Sequence, residues 1–287
     1  MGTLYIIGNG FDLHWKLKTT TDHYMEFLKG QYIEGETDNA LDVLATYGID
    51  WSEYEQSLAD IDLNVLEEGN LGFPDYLSDR ESDRDGVIYN MQVYLDSIQE
   101  AVQFALKEMV EAANDDLEDV KIPRKFRRMF HSGDAILSFN YTSTIERLFD
   151  LPDNIEILHI HGFFQDDDPL IFGYGKAKGN YRAKLVPDED RDYYVDKQRE
   201  AVSDFYQALK KDYKMTALNQ FLRSCHGIDR VVAYGHSMGE VDAKYMECIE
   251  QVIAPSSWEV SYHDEVDSIR DNVKVYSFYH KTTFFKF

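Results

Sequence analysis

The chain has 287 residues, with 53 acidic against 29 basic side chains and a net charge of −24. A composition 44% hydrophobic and 14% aromatic is ample for a packed core, which excludes a disordered or fibrous chain. Such an acidic balance repels phosphate backbones and anionic lipid, so it argues against general nucleic-acid and membrane binding. A small anionic ligand held by backbone amides stays open. The two cysteines, Cys225 and Cys248, suit neither a four-thiolate zinc site nor a disulfide framework. No apolar run approaches the roughly 20 residues that span a bilayer, and no signal peptide is legible. A cytoplasmic protein is expected.

In chain order, Leu4–Ile7 reads as a short strand running into Gly8-Asn9-Gly10-Phe11-Asp12. Thr19–Asp22 supply cap-type residues, and Tyr24, Phe27, Leu28 and Tyr32 follow at helical spacing. Residues 34–86 are acidic and weakly periodic, with one compact island from Trp51 to Glu55. The clearest helix follows: Met91, Tyr94, Leu95, Ile98, Val102, Ala105, Leu106 and Met109 keep i, i+3, i+4, i+7 spacing. Lys121–Arg128 is a basic cluster read as a solvated helix approach. Ala135–Phe139 then forms a strand ending on Asn140-Tyr141-Thr142, and Ile155–Ile160 a strand ending on His161-Gly162. Leu170-Ile171-Phe172 runs into Gly173-Tyr174-Gly175, and a helix is predicted over about 198–222. Val231–Tyr234 enters Gly235-His236-Ser237-Met238-Gly239, followed by a helix carrying Val241, Tyr245, Ile249 and Val252. Trp258–Tyr262 and Val273–Phe278 are the last predicted strands. This alternation predicts a Rossmann-like α/β fold, with a mainly parallel sheet, helices on both faces and a mainly helical insertion or lid over 40–130.

Strands that end on glycine or a polar residue at their carboxyl edge build ligand crevices in such sheets. Glycine there accepts φ > 0 and lets a ligand approach the backbone. The Gly8-Asn9-Gly10 turn lacks the third glycine of a dinucleotide fingerprint, so it fits a structural turn as well as a phosphate cradle. Asp12 fits a ribose ligand or an Asx-type cap equally. His159 and His161, two apart on a strand, are expected on one face. No acidic or histidine cluster completes a metal set, so no metal is expected. His161 suits general acid/base chemistry, whereas His159 is expected to pack inside. Gly235–Gly239 also matches the G-x-S-x-G nucleophile elbow, with Asp264 or Asp267 and His280 as the triad partners a serine hydrolase would need.

Taken together, Ile6–Leu13, Trp51–Glu55, Phe139–Thr142, His159–Gly162 and Tyr234–Asp242 resemble the hallmark segments of the AbiH family of bacterial phage-defence proteins. Trp15-Lys16-Leu17-Lys18 stands where that family usually has a small, glycine-containing stretch. The layout is also similar to the sirtuin-like NAD-binding fold, which implies a single α/β domain over 1–287. By that resemblance Asn140 and His161 take the catalytic asparagine and histidine roles. Gly8, Asn9, Gly10, Phe11 and Asp12 take the first nucleotide-binding turn, and Gly235, His236, Ser237 and Asp242 the late loop. Lacking the four-cysteine zinc module, the chain is expected to hydrolyse NAD⁺ or a related nucleotide rather than deacylate. The implied partners are a nucleotide and a phage trigger, with a homo-oligomer left open. A nucleotide-binding sensor without turnover is the alternative from another class.

Overall fold

The computed structural model describes residues 2–50, 54–164, 170–171, 173–174 and 192–287. In chain order these form β1 (Gly2–Ile7), α1 (Asn9–His14), α2 (Thr21–Leu28), α3 (Ala40–Thr46), α4 (Tyr54–Ser57), α5 (Leu63–Asn70) and the long α6 (Glu81–Asp116). There follow α7 (Arg124–Arg127), β2 (Ala135–Ser138), α8 (Thr144–Leu148), β3 (Glu156–His159), α9 (Tyr193–Ala208) and α10 (Met215–Ser224). The last elements are β4 (Ile228–Tyr234), α11 (Ala243–Ile253), β5 (Ser257–Tyr262), α12 (Val266–Val273) and β6 (Thr282–Lys286). They divide into two compact units, one of residues 1–20, 107–171 and 212–287, the other of 21–106 and 172–211.

The first unit is built on a six-stranded sheet in the order β3-β2-β1-β4-β5-β6, every pairing parallel. Parallel strands must be joined by crossovers, and these carry helices onto both faces. Period-2 alternation divides the sheet's side chains between two cores. Leu4 and Ile6 join Leu137, Val231, Ala233, Trp258 and Val260 under α10, α11 and α12. Tyr5 and Ile7 join Ile136 and Val232 under Phe11, Ile122, Phe130, Ile145 and Phe149. Each wholly buried aliphatic side chain, such as Ile6 or Ile7, contributes roughly 1.5–3 kcal/mol. Asp134 aligns the first pair of strands: its carboxylate accepts from Thr3 N and His131 N, both at 2.8 Å, just before β2 begins.

The second unit is helical. The predicted apolar stripe from Met91 to Leu106 is buried there. Tyr24 donates to Val102 O, Tyr94 donates to Glu36, and Arg199 pairs with Glu67 at 2.6 Å. Of the Trp51–Glu55 island, Tyr54 and Glu55 open α4, while Trp51, Ser52 and Glu53 lie outside the described residues. Phe172 and Gly175 likewise lie outside them; Leu170 and Ile171 carry no strand, and Tyr174 makes an isolated bridge to Lys210.

Two expectations are corrected. The helix predicted over 198–222 is broken, with α9 ending at Ala208 and α10 starting at Met215. Tyr174 N donates to Leu209 O and Lys211 N to Tyr174 O, so non-local backbone pairing takes the segment out of helical geometry. The strand predicted over Val273–Phe278 is instead the end of α12 and part of a 3₁₀ turn at Ser277–Lys281. Tyr276 and Phe278 are buried by stacking on each other and on Trp258, so their apolar character serves ring packing. The strand that pairs with β5 is β6.

Candidate functional site

In this sheet order the topological switch point lies between β1 and β4, where Gly8–Gly10 and Gly235 sit. Neither Gly8 nor Gly10 has a positive φ. Space requires these glycines: a Cβ on Gly8 would stand 2.7 Å from Gly235 O, and one on Gly10 2.8 Å from Gly235 Cα. Gly235 does have φ +62, and a Cβ there would stand 2.1 Å from Phe11 N. The partner that approaches the turn closely is thus the protein's own backbone. Gly8 N donates to Tyr234 O, Gly10 N to Gly235 O and Phe11 N to Gly8 O, so three amides of the turn are engaged internally. Asn9 donates from its side chain to Thr19 O, and Phe11 is fully buried against Phe149 and Phe287.

Asp12 points inward and is 1% exposed. Its Oδ2 accepts from Thr142 Oγ1 at 2.6 Å, and Thr142 in turn meets Thr144 Oγ1. Burial pushes its pKa up to about 6, with Thr142, Thr144 and Asn140 partly opposing the rise. No hydrogen bond of ordinary geometry joins Asp12 to Asn140, and Asp12 Oδ1 has no partner among the described residues. Asn140 follows β2, is 7% exposed, and neither atom of its side-chain amide is hydrogen-bonded among the described residues. A buried polar group without a partner costs about 1–3 kcal/mol.

His159 and His161 do not share a face. The strand ends at His159, and the turn after it sends the two rings apart. His159 packs inward as expected, with Nδ1 3.1 Å from Asn140 O and Nε2 2.8 Å from Glu146 Oε1. It thereby holds the Asn140 backbone. His161 lies on the other side, against Phe139 and Tyr245. Its Nε2 is 3.4 Å from Asp242 Oδ1, within ion-pairing reach though not in hydrogen-bond geometry. His236 Nε2 stands 3.3 Å from the other oxygen of the same carboxylate. Among the described residues, no group of three or more His, Cys, Asp or Glu could hold a metal ion.

Beside these groups, at the carboxyl ends of β4 and β5, is a cavity of about 290 Å³. Gly10, Gly235, His236, Ser237, Glu265 and Phe287 are among its lining residues. Its volume is at the low end for small-molecule pockets. Ser237 does not form the hydrolase constellation. His280 Nδ1 faces Ser277 O, Asp267 binds Arg270, and no hydrogen bond links Ser237 to any of them among the described residues.

Sequence reasoning did not find Thr142 and Thr144 as partners of Asp12, or Glu146 as the partner of His159. Thr142 lies in the Phe139–Thr142 segment, which was the available signal; Glu146 had none.

The fold and the strand-end polar groups define a doubly wound α/β protein with a crevice at the carboxyl edge of its sheet. More particularly, the family model for bacteriophage abortive infection AbiH matches residues 4–262, and the chain belongs to that family. That match runs from within β1 to the end of β5. No curated protein matches the chain. Family membership supports a role in bacteriophage abortive infection. Among the described residues, no helix is long and apolar enough to cross a membrane.

Proposed function

We propose that this abortive-infection protein binds a nucleotide at the carboxyl edge of its sheet and hydrolyses NAD⁺, in a sirtuin-like manner. The observation that carries the reading is the amide of Asn140, unpartnered among the described residues, buried beside Asp12 and one strand away from the segment that presents His161. Asn140 Nδ2, Asn140 Oδ1 and Asp12 Oδ1 offer one donor group and two acceptors, which suits the hydroxyls of a ribose. The cavity lined by Gly10, Gly235, His236 and Ser237 takes another part of the nucleotide. Gly8 and Phe11 support it from within, and Asn9 from the exposed side of the turn.

Breaking the N-glycosidic bond develops oxocarbenium character at the ribose C1′ and releases neutral nicotinamide, so the leaving group needs no proton. Water supplies the new C1′–O bond, and His161 accepts the proton that the water loses. General-base assistance of this kind is typically worth 10²–10⁴-fold. Purified protein, alone or with lysate from phage-infected cells, should release nicotinamide from NAD⁺. Asn140→Ala and His161→Ala should each lower that release by about 10²-fold or more, with denaturation midpoints near that of the parent. Both variants unfolding would show that these are core residues and end the site assignment.

A further inference from the structure

His236 is fixed in one protonation pattern by the loop that carries it. Its Nδ1 accepts a hydrogen bond from Met238 N at 2.9 Å, so the lone pair of that nitrogen is occupied. Its Nε2 therefore carries the proton, and this N–H is the atom 3.3 Å from Asp242 Oδ2. The loop is shaped for this contact. Met238 is fully buried with φ +55, in the left-handed region that a methionine adopts only under tertiary constraint. Tyr276 secures the same turn by donating to Met238 O and Gly239 O. The other oxygen of Asp242 faces His161, and the side chains of His161, His236 and Asp242 are 6%, 3% and 13% exposed.

We propose that Asp242 is a positioning residue, a carboxylate held by the tautomer-locked His236 and directed at His161, which it orients as the base. This rests on the hydrolytic reading given above. Protonating His236 would displace the Met238 N–H from Nδ1, whereas the imidazolium of His161 gains the facing carboxylate. The rings lying against His161 include Phe139, Tyr141 and Tyr245. Tyr245 and Tyr276 have pKa values pushed up, first by burial and further by the Asp242 carboxylate, so both phenols stay neutral. In the reaction, one O–H bond of the attacking water breaks, its proton passes to His161, and its oxygen bonds to C1′ as the C1′–N bond to nicotinamide breaks.

The test uses the full chain labelled with ¹⁵N-histidine and read by long-range ¹H–¹⁵N spectra, with kinetics in parallel. His236 should show the tautomer with a protonated Nε2 and a hydrogen-bonded Nδ1. Asp242→Asn should leave that pattern in place, change the spectrum of His161, and lower kcat by about 10²-fold with KM within a few-fold. His236→Gln, which keeps an amide donor, should retain at least tenfold more activity than His236→Leu. An Nδ1–H or doubly protonated His236 at neutral pH overturns the proposal, as does an Asp242→Asn variant that raises KM and spares kcat. The spectra need no turnover. If no form of the protein hydrolyses NAD⁺, the hydrolytic reading fails by itself, and the His236 and His161 signals still decide whether Asp242 organises the two rings.

Discussion

The buried environment of Asp12 opposes its ordinary ionisation. Its carboxyl titrates near 6 in the fold against 3.8 in the reference state, with burial as the main cause. The folded chain therefore holds this proton through a range where the unfolded chain has lost it. Linkage then requires the contribution of Asp12 to stability to be fully favourable below about pH 4 and to fall as pH rises towards 6. The shift corresponds to about 3 kcal/mol. Asp12→Asn keeps a carbonyl oxygen for Thr142 and removes the titration. Relative to the parent, this variant should gain stability progressively between pH 4 and 6 and hold the gain above pH 7. Chemical denaturation of both proteins at each pH reads the difference. A difference that stays flat across the range would show that Asp12 ionises freely in the fold.

At the scale of elements, the turn between β1 and α1 and the loop after β4 are fitted to each other through three glycines. Gly235 combines φ +62 with the tightest approach, to Phe11 N. A left-handed conformation costs a residue with a Cβ roughly 1–2 kcal/mol, and a backbone contact at that distance forces the two segments apart as well. Gly235→Ala should therefore lose more than about 2 kcal/mol or fail to accumulate. Gly239→Ala is the control, because its φ is ordinary and its Cβ would meet only Ser237 Oγ at 3.4 Å. Equal denaturation midpoints for the two variants would refute the packing account. The same pairing of loops explains why the glycine turn gave an ambiguous signal in the sequence. A phosphate and a neighbouring strand's backbone both demand the absence of a side chain.

At the scale of the molecule, a net charge of −24 confines an anionic ligand to places where the fold itself supplies donors, and the nucleotide site proposed above lies at the carboxyl edge of the sheet. Calorimetric titration with ADP-ribose should show saturable binding. At a hundred times its Kd the ligand should stabilise the chain by about 2.7 kcal/mol, seen as a raised melting temperature. NAD⁺ recovered after long incubation should be cleaved. Intact NAD⁺ with saturable binding, in the presence of infected-cell lysate, would instead mark a sensor. The absence of any thermal shift would remove nucleotide binding altogether.

Periodicity in the sequence was enough for β1, β2, β4 and β5, for the stripe from Met91 to Met109, and for the parallel α/β class, because alternation and helical spacing are local properties. The strand-end motifs also brought Asn140 and His161 to adjacent strands, since Ser138 and His159 stand in register. Where local pattern and tertiary contact disagreed, contact prevailed: Tyr174 divides α9 from α10, and ring stacking takes Tyr276 and Phe278 out of a strand. Only the folded chain decided the burial and raised pKa of Asp12, whose partner Thr142 is 130 residues away. It alone set two histidines on one Asp242 carboxylate, and it turned His159 away from His161. Such pairings depend on where crossovers return the chain, and a carboxylate's environment is a property of everything packed around it, which no local spacing encodes.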